Sequence, residues 1–119
     1  MAMTPVVLCL SKSGFKIARR IADILGAQLH GREGRVDGAD ATFENTLDYV
    51  RVLFAAGIPI VGVCAAGILV RGVAPMLVDK FNEPPVVSVP DDGSTVIPLL
   101  GGHRGANRLA RQIAEGLKT

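Results

Sequence analysis

The chain has 119 residues, 49% of them hydrophobic, 20% charged and 4% aromatic, with 14 glycines and no tryptophan. That is one domain's worth of chain, with enough apolar side chains for a real core. Its 13 basic and 11 acidic residues leave a net charge of +2, and with the basic residues scattered and aromatics scarce, a nucleic-acid partner is not expected.

Met1 and Ala2, ahead of Met3, read as an added pair, and no apolar stretch near the N-terminus is long enough for a secretory signal. Pro5 to Leu10, PVVLCL, is a continuous apolar run that predicts a strand covered on both faces. After SKSG, Ile17, Ile21, Ile24 and Leu25 fall on one helical stripe over Phe15–Leu25, and Gly26 ends it. Ala27–His30 reads as a short edge strand and Gly31–Asp40 as a polar, glycine-rich loop. A helix capped by Asp40 or Thr42 runs to about Ala56, with Phe43, Leu47, Val50 and Phe54 as its core stripe.

Val52–Val70 carries no charge over 19 residues, the length of a membrane span. Gly57 and Pro59 interrupt it, however, and predict a helix end followed by a buried strand, Ile58–Val63. No membrane association is expected. Cys9 and Cys64 each lie in an apolar run and read as reduced, buried thiols of a cytoplasmic protein. A nearly all-apolar helix follows over Ile68–Leu77, limited by Pro75. Val86–Val89 and Thr95–Pro98 flank Pro90-Asp91-Asp92-Gly93 and read as a hairpin. The last helix, Ala106–Leu117, repeats apolar residues at 106, 109, 110, 113, 114 and 117. This order predicts an α/β fold in three layers: an open, mostly parallel sheet with helices on both faces, ending in a hairpin and a helix.

Three strand–helix connections share one pattern: LCLSKSG, VGVCAAG and LLGGHRG. Ligands of open α/β sheets bind beyond the carboxyl ends of the strands, where helix N-termini favour anions. Ser11 and Ser13 offer hydroxyls, Gly67, Gly101, Gly102 and Gly105 permit close backbone approach, and Lys12, Arg71, Arg104 and Asn107 offer polar contacts. Together they suggest a site for a polyanionic small molecule. Each has a duller reading: turn geometry for the glycines, an ion pair with Asp79 for Arg71, a hydrogen-bonded turn residue for His103. SKSG is neither a Walker loop nor a dinucleotide fingerprint, so no cofactor is expected. His30 and His103 are too few and too separate in sequence to suggest a metal.

The segments GVCAAGILVRGVAPMLVDK and PPVVSVPDDGSTVIPLLGGHRGANRLARQIA resemble the N-terminal domain of the CbiG family, the cobalt-precorrin-5A hydrolases of cobalamin biosynthesis. The likeness spans roughly Ile60 to Ala114, with Gly67, Arg71, Pro75, Lys80, Gly102, His103, Asn107 and Leu109 in register. It implies opening of a δ-lactone on a corrinoid precursor rich in carboxylates, with release of acetaldehyde. His103 is then the expected catalytic base; Ser11, Ser13, Gly67, Arg71, Gly101, Gly102, Arg104, Gly105 and Asn107 are the expected substrate contacts. The turn after His103 is one residue shorter than the family pattern. Members carry further domains, so residues 1–119 are expected to be one domain of a longer chain, partnered by other domains or enzymes of the pathway. The alternative is a non-catalytic docking domain fused to a precorrin-3B C-17 methyltransferase, with the Ile68–Leu77 helix as its interface.

Overall fold

A computed structural model describes residues 3–119; Met1 and Ala2 lie outside them. Strand β1 (Val6–Cys9) leads through a short 3₁₀ turn at Lys12–Gly14 into helix α1 (Phe15–Leu25). Then come β2 (Gln28–Arg32), β3 (Ala41–Phe43), α2 (Thr46–Ala55), β4 (Ile60–Val63) and α3 (Ala66–Val73). The chain ends with β5 (Val86–Val89), β6 (Ile97–Leu100) and α4 (Ala106–Leu117). The six strands form one sheet in the order β3-β2-β1-β4-β5-β6. All neighbours pair in parallel except β5 and β6, which are antiparallel. The expected three-layer α/β architecture is therefore present.

The two-residue period of the strands builds both faces. Val7 and Cys9 of β1, Val61 and Val63 of β4, and Val87 and Val89 of β5 pack with Ala18, Ile21, Ala110 and Ile113 of α1 and α4. Their alternates, Leu8, Ile60 and Val86, pack with Val50, Phe54, Leu69 and Val73 of α2 and α3. Both sides are covered, so the strands need no polar face, and this explains the uncharged Val52–Val70 stretch as helix, buried strand and helix. Among the described residues no helix is long and apolar enough to cross a membrane.

The structure corrects several boundaries. The strand expected at Ala27–His30 continues to Arg32 and is not an edge: β3 lies outside it. β3 occupies residues expected to open α2, whose cap is Asn45, its side chain accepting from Asp48 N–H at 3.0 Å. Asp40 instead accepts from Leu29 N–H at 2.8 Å and faces Arg19 at 3.3 Å, which ties down the 33–40 loop, while Val36 enters the core. β4 starts two residues later than expected. α3 ends at Val73 and gives way to a 3₁₀ turn over Ala74–Met76, where Pro75 lies. β6 is shifted to Ile97–Leu100 and carries Pro98 opposite Val87, next to an irregularity in the ladder.

Gly101 joins β6 to the last helix with φ at 81°. A side chain there would approach Pro84 O and the Pro85 backbone to 2.5 Å, with no flexible group to yield. Gly102 has open space around it. Gly101→Ala is expected to cost about 2–4 kcal/mol from left-handed strain plus overpacking, whereas Gly102→Ala shifts the urea midpoint far less. Equal midpoints for the two variants would contradict this packing.

Candidate functional site

Strand direction decides which of the three glycine-rich connections can meet. β1, β4 and β5 run parallel, so Leu10–Ser11, Cys64–Ala66 and Pro90–Asp91 emerge at the same end of the sheet. β6 runs the other way, and Leu100 pairs with Val86 at the start of β5. Gly101–Gly105 therefore sits at the amino end of the parallel strands, about 13 Å of strand away. The expectation that all three openings converge does not hold within this chain: His103, Arg104, Gly101, Gly102, Gly105 and Asn107 lie at one end, Ser11, Ser13 and Gly67 at the other.

At the carboxyl ends, the sheet order reverses between β1 and β4, and the diverging connections leave a cleft of about 670 Å³. Leu10, Cys64, Ala65, Ala66, Ile68 and Ile97 give it apolar walls, and Ser11, Ser88, Asp91 and Thr95 are its polar lining. Ala65 caps α3 without a side-chain bond, and in the first turn Ile68 N–H donates to Ala65 O at 3.1 Å. Gly67 and Arg71 share an exposed face of α3. Asp79, the acid considered as a partner for Arg71, instead accepts from Phe81 N–H and from the Asn82 side chain.

Ser11 and Ser13 do not present free donors. Ser13 Oγ donates to Asp91 Oδ2 at 2.5 Å; Ser11 Oγ lies 3.3 Å from that oxygen and 2.9 Å from Ser13 Oγ. A Cβ at Gly14 would come within 2.7 Å of Asp91 Oδ1, so the carboxylate rests directly on the turn that begins α1. The protein's own carboxylate thus occupies the place the serines suggested for a ligand anion. Asp91 carries no site signature in the sequence, because an aspartate in Pro-Asp-Asp-Gly already has a turn role. Asp92 performs that role, accepting from Ser94 N–H at 3.0 Å.

Burial pushes the Cys64 thiol up to about 12, with the Asp91 charge and Cys9 adding to the effect. Burial also raises Cys9, whose thiol donates to Ser11 O. Ser88 Oγ donates to Cys64 O at 3.2 Å.

The opposite end is arranged differently. Arg104 donates to Phe81 O at 3.0 Å and to Asn82 Oδ1 at 2.7 Å, and the exposed His103 ring lies 4.5 Å from that of Phe81. This connection fastens the Asp79–Pro85 segment to the start of α4. A smaller hollow of about 380 Å³ beside it is lined by Gly57, Pro59, Asn82, Pro85 and Arg104 among others. His30, inside the sheet region, engages Tyr49 OH at 2.6 Å and Gln28 Oε1 at 2.9 Å through its two ring nitrogens.

An open, mostly parallel sheet covered by helices on both faces defines a doubly wound α/β domain. The family described as Cobalamin synthesis G N-terminal matches residues 48–119, and the chain belongs to it. A protein named cobalt-precorrin-5A hydrolase from Salmonella typhimurium is 37% identical over 113 residues, 91% of this chain and 31% of the relative. One of the same name from Priestia megaterium is 32% identical over 120 residues, 94% of this chain and 32% of the relative. The chain thus spans about a third of the length of these relatives. A solved structure described as a cobalamin biosynthesis protein G homolog from Sulfolobus solfataricus shares the fold, with a TM-score of 0.71 at 24% identity. The match covers 99% of this chain and 36% of that one. The methyltransferase-fusion alternative gains no support from these relatives.

The buried thiols lead to a measurable expectation. At pH 8 iodoacetamide leaves native Cys9 and Cys64 unmodified while alkylating both in urea, as read by intact mass. Alkylation of Cys64 at the rate of a free thiol would contradict its burial at the cleft wall.

Proposed function

We propose that this chain is the part of a cobalt-precorrin-5A hydrolase that receives the lactone-bearing edge of the corrinoid in the cleft between β1 and β4. The observation that carries this reading is the cleft itself. It opens beyond the carboxyl ends of β1, β4 and β5, next to the point where the sheet order reverses, and it combines apolar walls with a carboxylate and hydroxyls. A corrin ring offers the same mixture, an apolar edge hung with acetate and propionate arms. Lys12 beside Ser11 and Arg71 on α3 are exposed and form no ion pair among the described residues. Neither lines the cleft itself, and both are assigned to carboxylate arms that extend beyond it, Arg71 in a bidentate fork. Gly67, with open space about it, lets those arms approach the start of α3. The Gly101–Asn107 surface then serves as a second, structural contact region and takes no part in lactone opening.

Cobyrinic acid, a corrinoid with free carboxylate arms, tests the location by absorbance titration. Wild type is expected to bind it. Ala66→Leu, which fills the cleft, is expected to weaken binding about tenfold or more through the steric cost of overpacking. His103→Ala stays within about twofold of wild type. The reverse pattern would move the site to the Gly101–Gly105 end.

A further inference from the structure

We propose that Asp91 is the general base that activates water for opening the cyclic ester of the substrate, with Ser11 and Ser13 as its positioning residues. This role rests on the reading of the cleft given above. Hydrolysis of a lactone needs a group that takes a proton from water beside the acyl carbon. Asp91 is the one carboxylate lining the cleft, and the other ionisable group there is the thiol of Cys64. With its pKa pushed up to about 12, that thiol stays protonated at neutral pH and supplies no competing nucleophile. His103, the base expected from the sequence, stands at the far end of the sheet against Phe81.

The holding of Asp91 suits a base that must keep one orientation. Oδ2 accepts from Ser13, with Ser11 bracing both, and Gly14 gives the carboxylate room to lie on the turn. Oδ1 accepts no hydrogen bond from the described residues, which leaves a lone pair for water. In the step, one water proton passes to Asp91 and the water oxygen bonds to the acyl carbon. The acyl–oxygen bond of the ring then breaks, and Asp91 returns its proton to the departing oxygen. The products are a carboxylic acid and an alcohol, and no electron donor or acceptor is needed. Ala65 and Ala66, at the start of α3, line the same cleft as Asp91, so the positive end of that helix faces the charge that develops there.

The test uses the natural polypeptide that contains this chain, with cobalt-precorrin-5A as substrate and cobyrinic acid as binding probe. Asp91→Asn is expected to lower kcat about 10²–10⁴-fold, with cobyrinic acid affinity within about threefold of wild type. Asparagine still accepts from Ser13, so the melting midpoint stays close to wild type. Ser13→Ala, which frees the carboxylate to turn, lowers kcat with KM unchanged, and Ser13→Thr, which keeps the hydroxyl, restores kcat. Retention of more than a tenth of wild-type kcat by Asp91→Asn, with binding intact, would overturn the role and leave the cleft reading standing. So would wild-type kcat in a Ser11→Ala/Ser13→Ala double variant, a result that stands even if the asparagine variant does not fold. A wild type that binds no cobyrinic acid removes the cleft reading and this role with it.

Discussion

The contact on which most else depends joins two distant turns: Asp91, just beyond β5, seated on Ser11, Ser13 and Gly14 at the start of α1. A carboxylate at a helix start meets the positive end of the helix dipole and two hydroxyl donors. This fixes where the chain turns after β5. Because it turns there, β6 comes back antiparallel, and the Gly101–Gly105 connection is carried to the opposite end of the molecule. The same contact closes one side of the cleft and leaves its polar lining at one spot. A polar link about eighty residues long in sequence thus sets both the shape of the candidate site and the direction of the last strand.

The two faces of the sheet divide the work. One core holds α1 and α4 against Val7, Val61 and Val87; the other holds α2 and α3 against Leu8, Ile60 and Val86. On the second face Gly62 lets Leu69 lie against the strand, where an added Cβ would meet its side chain at 2.7 Å. That close approach brings the first turn of α3 to the edge of the cleft. Packing and site geometry are therefore one arrangement: the glycine that seats the helix also places Ala66 and Ile68 in the cleft wall.

Local chemistry made much of this fold legible. Phe15–Leu25 and Ala106–Leu117 have the boundaries their apolar spacing predicts, and Val86–Val89 is the strand its composition suggests. The three-residue β3 was not legible, because Ala41-Thr42-Phe43 is too short for a period and follows an aspartate suited to capping. Asp40 proved to serve the β2 backbone instead, and Asn45 the helix. The site was less legible than the fold. Three similar connections suggested one convergent pocket, but similarity of sequence carries no information about strand direction. Ser11 lines the carboxyl-end cleft, His103 and Arg104 lie at the other end of the sheet, and the place of Asp91 depends on where the hairpin turn sits in space.

Pro98 gives β6 a further property. It removes an N–H donor from the outermost strand on that side, and on the other side β3 is only three residues long. Neither border of the sheet offers an unbroken row of backbone groups to an incoming chain. Fibril-like stacking of copies and strand exchange between neighbours are both disfavoured from the start. A domain built this way can be joined to others through its helices and loops, at high local concentration, without its sheet becoming a template for aggregation.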